Sequence, residues 1–346
     1  DGSVALWDLR EPVADHVSAD STTLGLPSGL RQPSYSTESL PSEPGQHVCR
    51  IVCRDTAPVV KPATTASASS AGLGTSSAGS RSSFQVASVD DRGLVNVWVA
   101  VEITGSDLVD PGLRMGASIK LVKTSTIHVY LPTVPDATDV VDPVMHDADN
   151  VGPSVECIQF CDSNRFLVAT SSGAVLNRAR FGGFLAPVAY FPADVMDVPI
   201  TELPASYNPA VALDFCPWSP SHFLVGYIDG VVALFSSDSS QPVASWDLPR
   251  HGKEPSVLFV RWARCSPGVF FVVDATGGIH VWNLLLSDKA PVLSQAVELP
   301  GGSVVVSASS SDSRRRPRKA NIAVAVSIGS VAAFTVSPHV LLAPPD

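Results

Sequence analysis

The stretch "FLVGYIDGVVALF", Phe223 to Phe235, sets two apolar runs on either side of Asp229-Gly230. Asp-Gly between alternating hydrophobic segments is a strong β-hairpin signal, because the turn needs a positive φ that glycine adopts without a Cβ clash. A lone hairpin cannot cover both of its faces, so the same pattern is expected elsewhere in the chain.

It recurs at a fixed offset. "RGLVNVW" carries Gly93 and Trp98, "GGIHVW" Gly277 and Trp282, "IGSVAAF" Gly329 and Phe334, and the opening "DGSVALW" Gly2 and Trp7. In each, as in Gly230 and Phe235, the aromatic follows the glycine by five residues. A weaker member, "SGAVLNR", places Arg178 at that offset from Gly173. Apolar runs stand ahead of these glycines: "FQVASV", "FLVAT", "FFVVD" and "IAVAVS". The opening unit has no such run before it.

A further strand precedes several hairpins, at "SVECIQF", "AVALDF", "SVLFVRW" and "SVVVSA", and another follows two of them, at "PVASW" and "PVLSQAVEL". Four-stranded units spaced roughly 45–60 residues apart are the sequence signature of a β-propeller. The chain therefore predicts an all-β WD-repeat β-propeller over 1–346, with about five blades and one incomplete blade at the start. Asp1 to Arg10 reads as the second strand of a hairpin whose first strand lies upstream, so a propeller fragment is expected. A β-sandwich would not require the constant glycine-to-aromatic spacing. Trp246-Asp247 imitates the motif but lies too far from Gly230 and belongs to a fourth strand. Trp98, Phe235, Trp282 and Phe334 are all expected to be largely buried.

Composition agrees with many short strands. Charged residues make up 16% of the 346 positions, with 24 Gly and 29 Pro. The net charge of -10 opposes a general attraction to nucleic acid or anionic lipid. Six scattered cysteines suit reduced, packed thiols better than a disulfide framework. Polar insertions are expected near 17–46, 55–83 and 104–153, the second Ser- and Ala-rich, with a charged loop near 309–319. The third insertion leaves room for one more strand at "SIKLVK", Ser118 to Lys123.

Several segments imitate metal, nucleic-acid or membrane motifs. "DADNVG", Asp147 to Gly152, imitates a calcium loop, but Val151 stands where an oxygen ligand belongs and Ile158 where the bidentate Glu would be. Cys49 with Cys53 and Cys157 with Cys161 share a C-x₃-C spacing; along a strand such residues stand about 13 Å apart, too far to chelate one ion. The basic run Arg314 to Lys319 lacks aromatic neighbours for base stacking and reads as a solvated loop tip, with an acidic protein partner the next reading. The charge-free stretch Ala320 to Pro345 suggests a membrane tail, but Asn321, Ser327, Ser330 and Pro338 interrupt it and Gly329 with Phe334 repeats the hairpin spacing. No phosphate-binding loop or nucleophile elbow is present, so no catalytic residue, cofactor or metal is expected.

The block "FQVASVDDRGLVNVWVAVEI", Phe84 to Ile103, with "DPGLRMGASIKLVKTSTI" after it, resembles the WD-repeat intermediate chains of cytoplasmic dynein-2, the motor of retrograde intraflagellar transport. "DGSVALWDLREP" and "GGIHVWNLLLSDKAPV" are similar to the same family. The resemblance implies a non-catalytic subunit whose propeller grips the heavy-chain tail, with a second intermediate chain and light chains gathered by an N-terminal arm. It also implies contact with the intraflagellar transport machinery, and a location in cilium, basal body and cytoplasm on the cytoskeleton. The arm lies outside this chain, and no residue here is assigned to partner binding. Without the resemblance, the blades alone would equally suit a scaffold in another cytosolic assembly, such as another dynein intermediate chain.

Overall fold

A computed structural model describes residues 3–10, 32–39, 48–55, 84–90, 93–103, 110–129, 154–162, 164–181, 184–192, 207–250, 254–297, 303–312, 320–327 and 329–341. The chain divides into two compact units, Asp1–Ile127 and His128–Asp346.

In the first unit, β1 (Ala5–Leu6) pairs antiparallel with β2 (Tyr35–Ser36), which leads into a 3₁₀ turn at Thr37–Ser39. β3 (Val48–Asp55), β4 (Phe84–Asp90), β5 (Leu94–Glu102) and β6 (Ile119–His128) form a four-stranded sheet in that order. Val4, Tyr35, Val86, Trp98, Ala100 and Leu121 share one core, so the short β1–β2 ladder packs against the sheet. Two stretches read as polar insertion thus contain ordered strands: β2 within 17–46, and β6 within 104–153, longer than the Ser118 to Lys123 segment. β2 was obscured by its length of two residues, too short for any alternation to register.

The second unit holds four sheets. Their strands run β7 (Val155–Phe160), β8 (Arg165–Thr170), β9 (Val175–Ala179), β10 (Phe184–Tyr190); β11 (Ala210–Phe215), β12 (His222–Tyr227), β13 (Val231–Ser236), β14 (Pro242–Asp247); β15 (Val257–Trp262), β16 (Val269–Asp274), β17 (Gly278–Asn283), β18 (Leu293–Ala296); and β19 (Val305–Asp312), β20 (Ala320–Val326), β21 (Val331–Val336). Each sheet is an antiparallel meander in chain order. First strands lie against first strands, β7 on β11, β11 on β15 and β15 on β19, with the later strands of each sheet leading outward. This is the blade arrangement of a β-propeller. Between blades each face is covered by a neighbour, which is why β16 is buried at every position instead of alternating.

The five blades share one register. The residue five after the turn glycine pairs with the residue seven before it: Trp98 with Val86, Arg178 with Phe166, Phe235 with Phe223, Trp282 with Phe270, Phe334 with Ile322. The glycines themselves, Gly93, Gly173, Gly230, Gly277 and Gly329, have φ between 81° and 97°. Each first strand also slips register after its opening pair, at Val48/Arg50, Val155/Cys157, Ala210/Ala212, Val257/Phe259 and Val305/Ser307. A bulge there bends and twists each first strand at the same point. The bulge leaves little trace in the sequence, because one extra residue leaves the apolar count of a strand nearly unchanged.

Two expected positions differ from the rest. Phe334 is half-buried, not buried: no fourth strand pairs with β21 among the described residues, and β21 alternates between exposed and covered positions. Trp7 is 48% exposed because it lies just beyond β1, while the other aromatics sit inside a third strand covered by its second. Gly2 lies outside the described residues. After β21 the chain forms a single turn, α1 (Pro338–Leu341), and Leu341 is buried in the core shared by the last two blades. Asn283 Nδ2 donates to Val340 O at 3.1 Å, tying this turn to β17. β20 and β21 are thus blade strands, as the hairpin spacing suggested, and no helix among the described residues is long and apolar enough to cross a membrane. β19 runs on to Asp312, so the stretch read as a charged loop from residue 309 begins as strand.

Candidate functional site

Several polar groups of the second unit bridge neighbouring blades. Tyr190, at the end of β10, sets its ring edge-on to Phe223 at 4.8 Å and to Phe235 at 5.8 Å, while those two rings stack at 5.4 Å. One blade on, Trp246 of β14 lies 5.5 Å from Phe270, which stacks on Trp282 at 5.2 Å. Both outer aromatics then reach the loop after the next blade's third strand: Tyr190 O–H donates to Ser237 O and Trp246 Nε1–H to Asp288 O. At the inner strands the Trp262 N–H donates to Asp214 Oδ2 at 2.8 Å, joining β15 to β11. Burial raises the Tyr190 hydroxyl above its ordinary pKa. Tyr190 and Asp214 went unremarked in the sequence, since neither sits at a repeated offset.

Arg178 fills the slot that an aromatic holds in the other blades. It is 5% exposed, burial lowers its guanidinium to about 10, and Nη1–H donates to Asn177 O at 3.1 Å. Its aliphatic stem lies across from Phe166 in place of a ring.

The most concentrated chemistry is at the β16–β17 turn. Asp274 Oδ1 accepts from Thr276 N–H, Thr276 Oγ1 and Gly278 N–H, at 2.6 to 2.9 Å. Oδ2 faces His280 Nε2 at 3.1 Å, and His280 Nδ1 meets Ser294 Oγ of β18 at 2.9 Å. A carboxylate only accepts, so Nε2 carries the proton that it donates. A Cβ on Gly278 would collide with the Asp274 carboxylate, so glycine is required there. The first unit echoes this arrangement: Asp90 Oδ1 accepts from Leu94 N–H, and Thr126 Oγ1 on β6 donates to Asn96 Oδ1. The signal legible in the sequence was an Asp three before the turn glycine with a polar residue three after it.

Asp, His and Ser in series also form hydrolytic triads, but this set is built as a clasp. His280 is 0% exposed and Asp274 1%, and both imidazole nitrogens are already engaged within the blade. A relay of that kind must end beside space for a substrate carbonyl and its oxyanion donors.

Burial alone would raise the Asp274 carboxyl; the hydrogen bonds from His280, Thr276 and Gly278 outweigh it and hold the group below the usual carboxylate range. Its contribution is therefore complete above the unfolded pKa of about 3.9 and lost as pH falls through the lower folded value. Asp274→Asn is expected to lose about 1–3 kcal/mol at neutral pH, by leaving buried donors poorly matched. Denaturant midpoints measured from pH 7 down to pH 2 should fall more steeply for the parent than for the variant; parallel acid profiles would show that Asp274 is not held in this way.

Cys157 packs partly against the core between the first two blades of the second unit, Cys216 and Cys265 are buried in cores, and these three with Cys161 are free thiols. Cys161 falls just past β7, so the C-x₃-C pair does not share one strand. Cys49 and Cys53 lie on β3, with their side chains outside the description. Asp147 to Gly152 and Arg314 to Lys319 also lie outside the described residues. Among the described residues no group of three or more His, Cys, Asp or Glu could hold a metal ion.

No family model matches the chain. Individual proteins do. Human cytoplasmic dynein 2 intermediate chain 1 is 28% identical over 315 residues, covering 86% of this chain and 26% of the human protein. The mouse protein of that name is 28% identical over 312 residues, 86% of this chain and 28% of its own length. Mouse cytoplasmic dynein 2 intermediate chain 2 is 24% identical over 214 residues, 61% of this chain and 36% of its own. This chain thus spans about a quarter of the intermediate chain 1 proteins it matches. With blades that repeat one glycine turn, one register and one bulge, and with these matches running across most of its length, the chain is a β-propeller homologous to cytoplasmic dynein 2 intermediate chain 1.

Proposed function

We propose that this chain is the propeller of a dynein-2 intermediate chain, a non-catalytic subunit that grips the tail of the dynein heavy chain and supports retrograde intraflagellar transport in cilia. The observation that carries the reading is the 28% identity to cytoplasmic dynein 2 intermediate chain 1 across 86% of this chain. The physics suits the role. Blades stacked through shared cores and inter-blade hydrogen bonds present loops on a rigid frame, so a helical tail can be bound with little ordering cost in the propeller. The burial of His280 and Asp274 and their hydrogen bonds support a structural use of the Asp274–His280–Ser294 set.

The proposed partners are the heavy-chain tail, and, through an N-terminal arm outside this chain, a second intermediate chain and light chains. The proposed location is the cilium and basal body, with a cytoplasmic, cytoskeleton-bound pool. Affinity purification from ciliated cells, with quantitative mass spectrometry, is expected to recover the dynein-2 heavy chain in near-constant ratio to the bait. Recovery of another assembly and no dynein subunit would replace this reading with that of a general WD-repeat scaffold.

A further inference from the structure

The junctions on either side of β11–β14 carry the same lock. Tyr190 and Trp246 hold one register position in their fourth strands, each opposite the residue two after its turn glycine, Val175 and Val232. Each side chain then donates to a backbone carbonyl of the following blade, Ser237 O or Asp288 O. At the next junction the same position, opposite Ile279, is held by Gln295, which is exposed. β18 therefore offers no ring to the β19–β21 blade.

Here the tie runs the other way. Two side chains of the β15–β18 blade donate to successive carbonyls of α1, the turn after β21: Asn283 Nδ2–H to Val340 O at 3.1 Å, and Ser266 Oγ–H to Leu341 O. Both donors belong to buried residues. Asn283 is oriented for this contact, because its Oδ1 accepts Leu285 N–H at 3.1 Å and leaves Nδ2 facing α1. Leu341 is fully buried, in a core that takes Cys265, Val269 and Val281 from one blade and Ile322, Val324 and Val336 from the other. Four residues are far too few for a helix to hold itself in water, so α1 is ordered by this seat. The seat in turn needs α1, since withdrawing it leaves two buried donors without those acceptors.

The blade on the far side of this tie is lightly covered. β21 is exposed or half-buried at every residue except Val336, whereas β17, the third strand one blade earlier, is buried throughout. We infer that α1 is a latch. With Leu341 seated beside Ser266 and Asn283, the β19–β21 blade is closed against β15–β18; with Leu341 withdrawn, β20 and β21 open together while the other blades of the second unit stay folded.

Native-state hydrogen exchange on the full chain, read by mass spectrometry, tests the latch. Leu341→Asp is expected to speed exchange in β20 and β21 by about tenfold or more, with β12 and β16 keeping the parent's rates. Ser266→Ala, which removes one donor and no apolar group, should act at the same strands and more weakly. A chain ending at Ser337 should show the open behaviour, and a synthetic peptide of residues 337–346 added to it should restore protection. The same peptide carrying Leu341→Asp should not. Unchanged exchange in β20 and β21 for both point variants would overturn the latch. So would acceleration spread evenly over the second unit, because α1 would then support the whole unit and release no single blade. Should the shortened chain not fold, the two point variants decide.

Discussion

Trp282→Ala is expected to cost about 3–5 kcal/mol of folding stability, among the largest losses from truncating a single side chain in this fold. Trp282 is fully buried, stacks on Phe270, and joins a core that also takes in Trp246 and Trp262 from the two blades that meet there. Its Nε1–H has no hydrogen-bond partner among the described residues, so the alanine leaves no orphaned acceptor and the loss reports packing. Trp282→Phe should recover much of it, since the equivalent position is Phe235 one blade earlier and that ring is also fully buried and stacked. Urea unfolding followed by circular dichroism, with hydrogen exchange on β16 and β17, measures the change. A loss below about 1 kcal/mol would mean that these blades are not held by their stacked rings. Phe334→Ala, at the half-buried counterpart, should cost less than Phe235→Ala.

That last contrast marks how far the sequence could be read. The glycine-to-aromatic offset located the third strands β5, β13, β17 and β21 because both ends of it are local: a turn that needs positive φ, and a ring that lands opposite the second strand five residues later. It could not report that Phe334 lacks a fourth strand beside it, since burial there depends on pairing across β21 and not on β21 itself. Arg178 shows the same limit from the other side. It reads as the weakest repeat, yet it occupies the shared register opposite Phe166 and is nearly as buried as the aromatics. The Asp274–His280–Ser294 clasp was missed because its members lie on three successive strands, so only the β16–β18 register brings them together.

The turn glycines make two distinct demands that substitution can separate. Gly230 has φ of 88°, and a Cβ there would stand 2.7 Å from Pro255 O, on the segment that leads into β15. Gly173 repeats the arrangement against Asn208 O, also at 2.7 Å, just before β11. Gly329 has φ of 82° but nothing within 4 Å of its Cβ position. Gly329→Ala should therefore lose only the backbone cost of a left-handed residue, about 1–2 kcal/mol. Gly230→Ala should lose that and more, because Pro255 and the start of the next blade must shift, and Gly230→Val should lose most, a β-branched side chain tolerating positive φ worst. Denaturant unfolding of the three variants, with hydrogen exchange at β15, gives the ordering. Equal losses for Gly329→Ala and Gly230→Ala, with β15 protection unchanged, would show that the close approach of turn to neighbouring blade contributes nothing. The glycines would then serve the hairpins alone.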